Sequence, residues 1–494
     1  MSVQESRREK LEALNRRGIQ PFAYRFDATH RSGRILADAE ALEASGEIVR
    51  VAGRLMTKRG HGKAAFAHLK DADGLLQIYV REDVLGPEAF ADAMTLDLGD
   101  WIGVEGPVFK TKTGETTVRA NRVELLSKSL FPLPEKWHGL TDVETRYRQR
   151  YADLAVNDDV RRVFRTRAGI LRALREFLDG RGFVEVETPV LQPLYGGATA
   201  RPFVTHHNAL DRRLYLRIAV ELYLKRLIVG GLDPVYEIAK TFRNEGIDRF
   251  HNPEFTMLEF YQAFADYEEM MEVTQDLVLH AVRSVHGSAR IPFDGQEIDF
   301  SPPWPRVSFS EAAAKGLGVE RLPESEKELR DLARRAGISV DPAFSYGKIL
   351  DEIISVKVQP GFVRPTFLID HPRDISPLAK VKRGDPSVVE RFEVIVAGTE
   401  LANAFSEQND PDEQRRAFEA QLEQRKRGDD EAQLLDADYI HALELGLPPT
   451  GGVGIGIDRL VMLLTDSRSI RDVILFPQMR SEEGGESSAS PPPG

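Results

Sequence analysis

The chain has 494 residues, of which 41% are hydrophobic and 29% charged, with a formal net charge of −12 and no cysteine. That length predicts more than one domain, and the composition is that of a globular chain in water. Without cysteine there are no disulfides, thiolate nucleophiles or cysteine-held zinc, so any metal is held by oxygen or nitrogen ligands, carboxylates with magnesium being the natural case. No run suits a bilayer span, and the N-terminal MSVQESRREKLEALNRRG carries charges where a secretion signal needs an apolar region. The expectation is a cytoplasmic protein with no membrane partner.

In chain order, residues 3–17 read as a charged helix. Residues 49–126 then read as five short strands, IVRVAGRLM, AAFAHLKD, GLLQIYV, WIGVEGPVFK and TTVRANRVELL, with a helix near 87–94 between the third and fourth. Five such strands with one intervening helix fit an OB-type barrel. Residues 1–130 carry 20 Lys and Arg against 19 Asp and Glu, so the acidity of the chain lies downstream. Within 50–70 there are six bases (Arg50, Arg54, Lys58, Arg59, Lys63, Lys70), no acid, and an aromatic, Phe66. A basic stretch interleaved with an aromatic suits single-stranded nucleic acid, although a solvated charged face has the same appearance.

The stretch FPLPEKWHGL, 131–140, has two prolines and a glycine and reads as the start of a linker extending to 157. From 158 an apolar stripe of Val160, Phe164, Ile170, Leu171, Leu174 and Leu178 recurs at helical spacing until Gly180 and Gly182. A strand ending in Pro189 follows, then a glycine-bearing loop at 196–203 and a helix over 219–229 with Glu221 near its start. Residues 234–242 and 255–261 are apolar and β-prone, and the polar segment between them predicts an antiparallel hairpin with a long loop. In its second strand a two-residue period puts Phe255, Met257, Glu259 and Tyr261 on one face, an odd composition for a core. The hairpin offers Arg243, Glu245, His251, Asn252 and Phe255. These supply a guanidinium for phosphate, an acceptor for a base amino group and a plate for stacking.

Residues 268–288 and 308–356 read as helical and loop material inserted between these motifs. In 390–410, ERFEVIVAGTELANAFSEQND, the Val/Ile run and Gly398 predict strand, turn and strand, with Glu393, Glu400 and Glu407 spaced by seven. In 451–463, GGVGIGIDRLVML, glycines 452, 454 and 456 recur at period two, which leaves one strand face bare for a flat ligand while Ile455 and Ile457 pack behind. Arg459 then opens a helix. Residues 481–494 are Pro/Gly/Ser-rich and predict a disordered tail.

FRNEG, HNPEF and EFYQAFADY resemble motif 2 of the class II aminoacyl-tRNA synthetases, in the version found in lysyl-tRNA synthetase. The helix, strand and Pro189 resemble motif 1, which in that family forms a dimer interface, and 451–463 resembles motif 3. RYRQRYADL (146–154), HHNALD (206–211), AVELYLKR (219–226) and NAFSE (403–407) carry the lysine-type resemblance. It implies an α+β chain: residues 1–130 as helix and OB-fold anticodon-binding domain, 131–157 as linker, and 158–480 as a class II catalytic domain. That domain has a mainly antiparallel sheet flanked by helices and a helical insertion. The implied activity is ATP-dependent activation of L-lysine and its transfer to lysine tRNA, by a homodimer using Mg2+.

By the same resemblance Arg243 and Arg459 are catalytic, and Asn244, Glu245, His251, Asn252, Phe255, Glu400 and Gly456 join them in holding ATP. Gly197, Glu221, Arg243, Glu259, Tyr261, Asn403, Phe405 and Glu407 hold lysine, Glu393 and Glu400 hold magnesium, and Phe66, Gln77 and Glu115 read the anticodon. One departure stands out. Many bacterial relatives have an arginine directly before HNPEF, where this chain has Phe250, with Arg249 one place earlier. Aspartyl- and asparaginyl-type synthetases share the plan, and a non-catalytic nucleic-acid-binding paralogue is a further alternative. An intact Arg243, Glu245, Glu400 and Arg459 speaks against the latter.

Overall fold

The computed structural model describes residues 2–134, 140–426 and 434–480. The tail expected over 481–494 lies outside the described residues, as do 135–139 of the expected linker. The chain forms two compact units, one comprising residues up to 142 with 151–156, the other residues 143–150 and those from 157 onward.

In the first unit, helix α1 (Val3–Arg16) starts on a capping box in which the Ser2 side chain accepts from Glu5 N while Glu5 reaches back to Ser2 N. The strands are β1 (Ile48–His61), β2 (Ala64–Lys70), β3 (Leu75–Arg81), β4 (Trp101–Lys110), β5 (Thr116–Arg119) and β6 (Arg122–Ser127). They run in the order β1-β2-β3-β5-β4-β6, and β1 also pairs with β4, which closes a five-strand circuit and leaves β6 beside β4. Alternation is what fills this barrel: Leu76, Ile78 and Val80 point inward from β3, with Val49, Val51, Ile102 and Val104 from neighbouring strands. The last expected strand is in fact two. The chain crosses β4 at Gly106, where a Cβ would stand 1.8 Å from the Arg119 carbonyl, so β5 pairs with one end of β4 and β6 with the other. Helix α2 (Pro87–Thr95) seals the barrel with Phe90, Ala93 and Met94.

The stretch expected as a linker is helical over Val143–Arg148 and Arg150–Val156. Arg150 is fully buried and donates to the carbonyls of Arg471 (2.8 Å) and Leu475 (3.1 Å).

The second unit is built on eight strands: β7 (Val184–Glu185), β8 (Val235–Phe242), β9 (Glu254–Ala263), β10 (Arg306–Ser308), β11 (Thr366–Ile369), β12 (Arg391–Val396), β13 (Thr399–Ser406) and β14 (Thr450–Gly456). Their order is β10-β11-β12-β13-β14-β9-β8-β7, antiparallel except at the two outer pairings. The strand expected before Pro189 shrinks to the two residues of β7. The hairpin of β8 and β9 forms with Phe242 opposite Glu254, and β12 turns into β13 through Ala397 and Gly398, both at positive φ.

Two-residue alternation divides this sheet into two faces. Leu258, Phe260, Val394, Ala402, Ala404, Val453 and Ile455 join helices α3 (Asp158–Gly180) and α5 (Tyr267–His286) in the main core. The reading of 268–288 as an insertion is therefore corrected. Met270, Met271, Leu277, Val278 and Val282 form an apolar stripe on α5 that is buried in the main core. Helices α6 (Phe309–Leu317), α7 (Glu326–Arg335) and α8 (Tyr346–Ile353) instead have a cluster of their own around Phe309, Leu329, Ile349 and Ile353. Helix α4 (Glu221–Val229) packs with α9 (Ala437–Gly446), and α10 (Ile457–Leu464) continues from β14.

Candidate active site

The face of the sheet turned away from α3 and α5 lines a cavity of about 850 Å3. One set of alternate residues on each strand faces it: Phe255, Met257, Glu259 and Tyr261 from β9, Arg391 and Glu393 from β12, Asn403 and Phe405 from β13, and Gly452, Gly454 and Gly456 from β14.

At one end, three carboxylates converge. Glu221, on the first residue of α4, Glu259 and Glu407 are each at most 5% exposed. Glu259 accepts from the Tyr261 hydroxyl at 3.0 Å and from Val220 N at 3.4 Å. Burial, with the Glu221 charge, pushes Glu259 up to about 7. Burial also pushes Glu407 up to about 8, with Lys225 acting in the opposite sense. Desolvation and the surrounding glutamates keep the Tyr261 hydroxyl protonated. Glycine is required at 452, where a Cβ would stand 2.2 Å from Glu407 Oε1 and 2.3 Å from Tyr261 Cε1. Gly197, at φ +84°, completes the wall beside Glu221.

At the other end lie two arginines. Arg243, at the foot of the hairpin, has its guanidinium 5.1 Å from the Phe255 ring centroid, and among the described residues no carboxylate within ion-pair distance. Desolvation pushes its pKa down, opposed by Glu245, Glu400 and Glu259, and the group stays a cation. Arg459, on α10, donates to the Glu400 carbonyl at 2.7 Å and meets its carboxylate at 3.3 Å.

Glu393 and Glu400 face the same space from adjacent strands. Glu400 is raised by burial and by the Glu393 charge. Burial also raises Glu393, but His371 and Arg391 pull it down by more, leaving it below the usual carboxylate range. Burial drives His371 itself toward neutrality, so the lasting partner is Arg391, whose Nη2 donates to Glu393 at 2.6 Å. Glu393, its side chain 14% exposed, and Glu400, 36% exposed, repel each other in one wall, and such a pair of oxygen donors suits a divalent cation.

His251 and Asn252 are held by the hairpin tip, His251 Nδ1 lying 2.8 Å from Asp248 Oδ2 and Asn252 Nδ2 donating to Glu254 O at 2.6 Å. Both line the cavity with Glu245 and Phe250, whereas Arg249 is drawn off to the Arg468 carbonyl. Asn244 departs from expectation. It is exposed and outside the cavity wall, its backbone N–H donating to Arg201 O at 2.7 Å.

Several contributors to this region, Arg391 among them, were not singled out from sequence. Lys348 and Asp351 of α8 line the cavity, Asp351 being exposed there. Lys225 lies behind the wall, 2.5 Å from Glu221 Oε1 and in contact with Glu407 Oε2. Its four-residue spacing from Glu221 on one helix was the available signal.

In the barrel, Phe66 is 40% exposed and stacked 4.4 Å from Tyr79. Gln77 Nε2 donates to Glu115 Oε2 at 2.7 Å, and His68 Nε2 lies 3.1 Å from Glu115 Oε1. The three expected base readers thus share one exposed face.

Residues 142–480 match the family model of the class II tRNA synthetases (D, K and N), and 49–126 match an OB-fold nucleic-acid-binding domain. The chain belongs to the class II tRNA synthetases. It is 54% identical over 480 residues to a lysine-tRNA ligase of Pelotomaculum thermopropionicum, covering 97% of this chain and 94% of that one. It is 54% identical over 479 residues to that of Moorella thermoacetica, covering 97% of each, and 51% over 480 residues to that of Bacillus subtilis, covering 96% of each. Among the described residues no helix is long and apolar enough to cross a membrane.

Proposed function

We propose that this synthetase activates L-lysine with ATP and transfers it to lysine tRNA. The observation that carries the reading is the trio of buried carboxylates, Glu221, Glu259 and Glu407, at one end of a cavity whose other end presents Arg243 and Arg459. Lysine has an ammonium at each end of an apolar stem, and its carboxylate needs a cation between the two subsites. An aspartate side chain would meet anions here, which disfavours that member of the D, K and N group. Its asparagine counterpart would leave a carboxylate unpaired.

In the reaction, a carboxylate oxygen of lysine attacks the α-phosphorus of ATP, and the bond to the bridging β-oxygen breaks, releasing pyrophosphate. The terminal ribose hydroxyl of tRNA then attacks the lysyl carbonyl carbon and AMP leaves. Catalysis is positioning and charge neutralisation. In this reading Arg243 contacts both the α-phosphate and the amino-acid carboxylate, and Arg459 the far phosphates. Phe255 and the bare glycine face at Gly454 and Gly456 sandwich the base, with Glu245, His251 and Asn252 at its rim. Asn403 and Phe405 wall the lysine stem, while Glu221, Glu259 and Gly197 take the α-ammonium, and Glu407 with Tyr261 the ε-ammonium. Glu393 and Glu400 would hold Mg2+, which when bound supplies neutralisation of the phosphate oxygens. Phe66, Gln77 and Glu115 stack on and hydrogen-bond an anticodon base.

A homodimer belongs to this reading through the motif 1 resemblance of α3 and β7, and a cytoplasmic location through its substrates. The deciding experiment is exchange of labelled pyrophosphate into ATP with each amino acid in turn. Lysine alone gives strong exchange, without tRNA. Equal exchange with aspartate or asparagine refutes the assignment.

A further inference from the structure

Lys225 is 0% exposed and absent from the cavity wall, so it touches no bound amino acid, yet its ammonium bridges Glu221 and Glu407. A buried cation directly behind a subsite for cations needs a reason. A lone pair within α4 would leave Glu407 out, and a plain core position would take an aliphatic residue at less cost in desolvation. The charge count supplies the reason. Glu221, Glu259 and Glu407 with Lys225 leave two net negative charges, the number of ammonium groups on lysine, while Arg243 balances the carboxylate. Without Lys225 three carboxylates would face one another in a desolvated space, and such groups keep protons instead of ionising.

We propose that Lys225 is a positioning residue that sets amino-acid specificity, drawing Glu407 toward its ionised form and aiming it and Glu221 at the cavity from behind. This rests on the lysine reading above. The groups facing Lys225 are Glu221 on its own helix, Glu407 after β13 and the Tyr439 hydroxyl of α9, with Glu259 and Tyr261 of β9 behind the two carboxylates. Among the described residues Glu407 Oε1 has no hydrogen-bond partner, and the Lys225 ammonium at Oε2 is the charge that opposes its burial. Oε1 is thereby left for an incoming donor.

The test compares wild type with Lys225→Met in lysine-dependent pyrophosphate exchange across pH. Loss of the cation moves the acid limb of the lysine KM profile up by about one pH unit or more, so lysine KM at about pH 7 rises about tenfold or more. At about pH 9 the gap is smaller than at about pH 7, narrowing to about threefold or less for a displacement of about one unit, because Glu407 then begins to ionise without the cation. ATP KM changes by less than about twofold. A rise in lysine KM by the same factor at both pH values, or none at either, overturns the inference, since packing loss has no such pH dependence. Should Lys225→Met not fold, Lys225→Arg retains the charge, and its limb stays at the wild-type pH. A limb displaced by about a unit with the charge retained overturns the inference equally. Failure of wild type to select lysine would sink the functional reading, whereas a pH-independent gap in a lysine-selective enzyme sinks only the role of Lys225.

Discussion

Glu407→Gln isolates the electrostatic part of lysine recognition, because it keeps the shape and hydrogen-bonding capacity of a side chain that is 1% exposed. Removing one partner of a desolvated charged pair costs about 2–5 kcal/mol. Part of that is offset here. With its pKa pushed up to about 8, Glu407 must give up a proton at about pH 7 before it can pair with an ammonium, which costs about 1.4 kcal/mol per pH unit. The net loss is therefore about 0.6–3.6 kcal/mol, a rise of about threefold to several hundredfold in the lysine concentration needed for exchange. ATP dependence should shift less than about twofold, since Glu407 lies at the carboxylate end of the cavity. The assay is initial-rate pyrophosphate exchange with lysine varied, alongside thermal unfolding to establish that the variant is folded. Lysine dependence within about twofold of wild type, about 0.4 kcal/mol, refutes Glu407 as the ammonium partner.

Three further outcomes follow from the same geometry. Glu259 and Glu407, raised to about 7 and about 8, bind protons that lysine must displace, so lysine KM rises as pH falls through that window. A lysine KM profile flat between about pH 6 and 8 would count against this. Gly452→Ala drives a Cβ into Glu407 and Tyr261 and should raise lysine KM by about tenfold or more. Gly456→Ala meets the Arg459 side chain at 3.5 Å and the Leu401 carbonyl at 3.7 Å, ordinary contacts, so it should leave stability within about 0.5 kcal/mol and weaken ATP alone. Equal effects of the two on lysine and ATP would break the division of the cavity. Phe66→Ala removes a stacking plate worth about 1–3 kcal/mol per base, weakening charging of lysine tRNA with exchange unchanged. If exchange falls in step, Phe66 serves the fold instead.

Local periodicity made much of this cavity legible before any coordinates. In β9, β12, β13 and β14 the two-residue period separates Leu258, Val394, Ala404 and Val453, which enter the core, from Glu259, Glu393, Phe405 and Gly452, which face the cavity. That sorting follows from backbone pleat alone, so the sequence by itself determined which side chains share a face. It also determined the barrel strands and the amphipathic face of α3. Whether a given apolar face meets the main core is a matter of long-range packing. That is why α5 looked like inserted material and is a core helix, and why 116–126 looked like one strand and is two, divided where the chain passes Gly106.

Only the tertiary structure decided that Asn244 leaves the cavity while Asp351, from a helix with a separate core, enters it. It alone placed Lys225 against Glu407, on an element far away in the chain. An ion pair of this kind has no local period. Its partners are selected by the cost of leaving any one of three desolvated carboxylates without a counter-charge, and that cost exists only once the chain has folded around them.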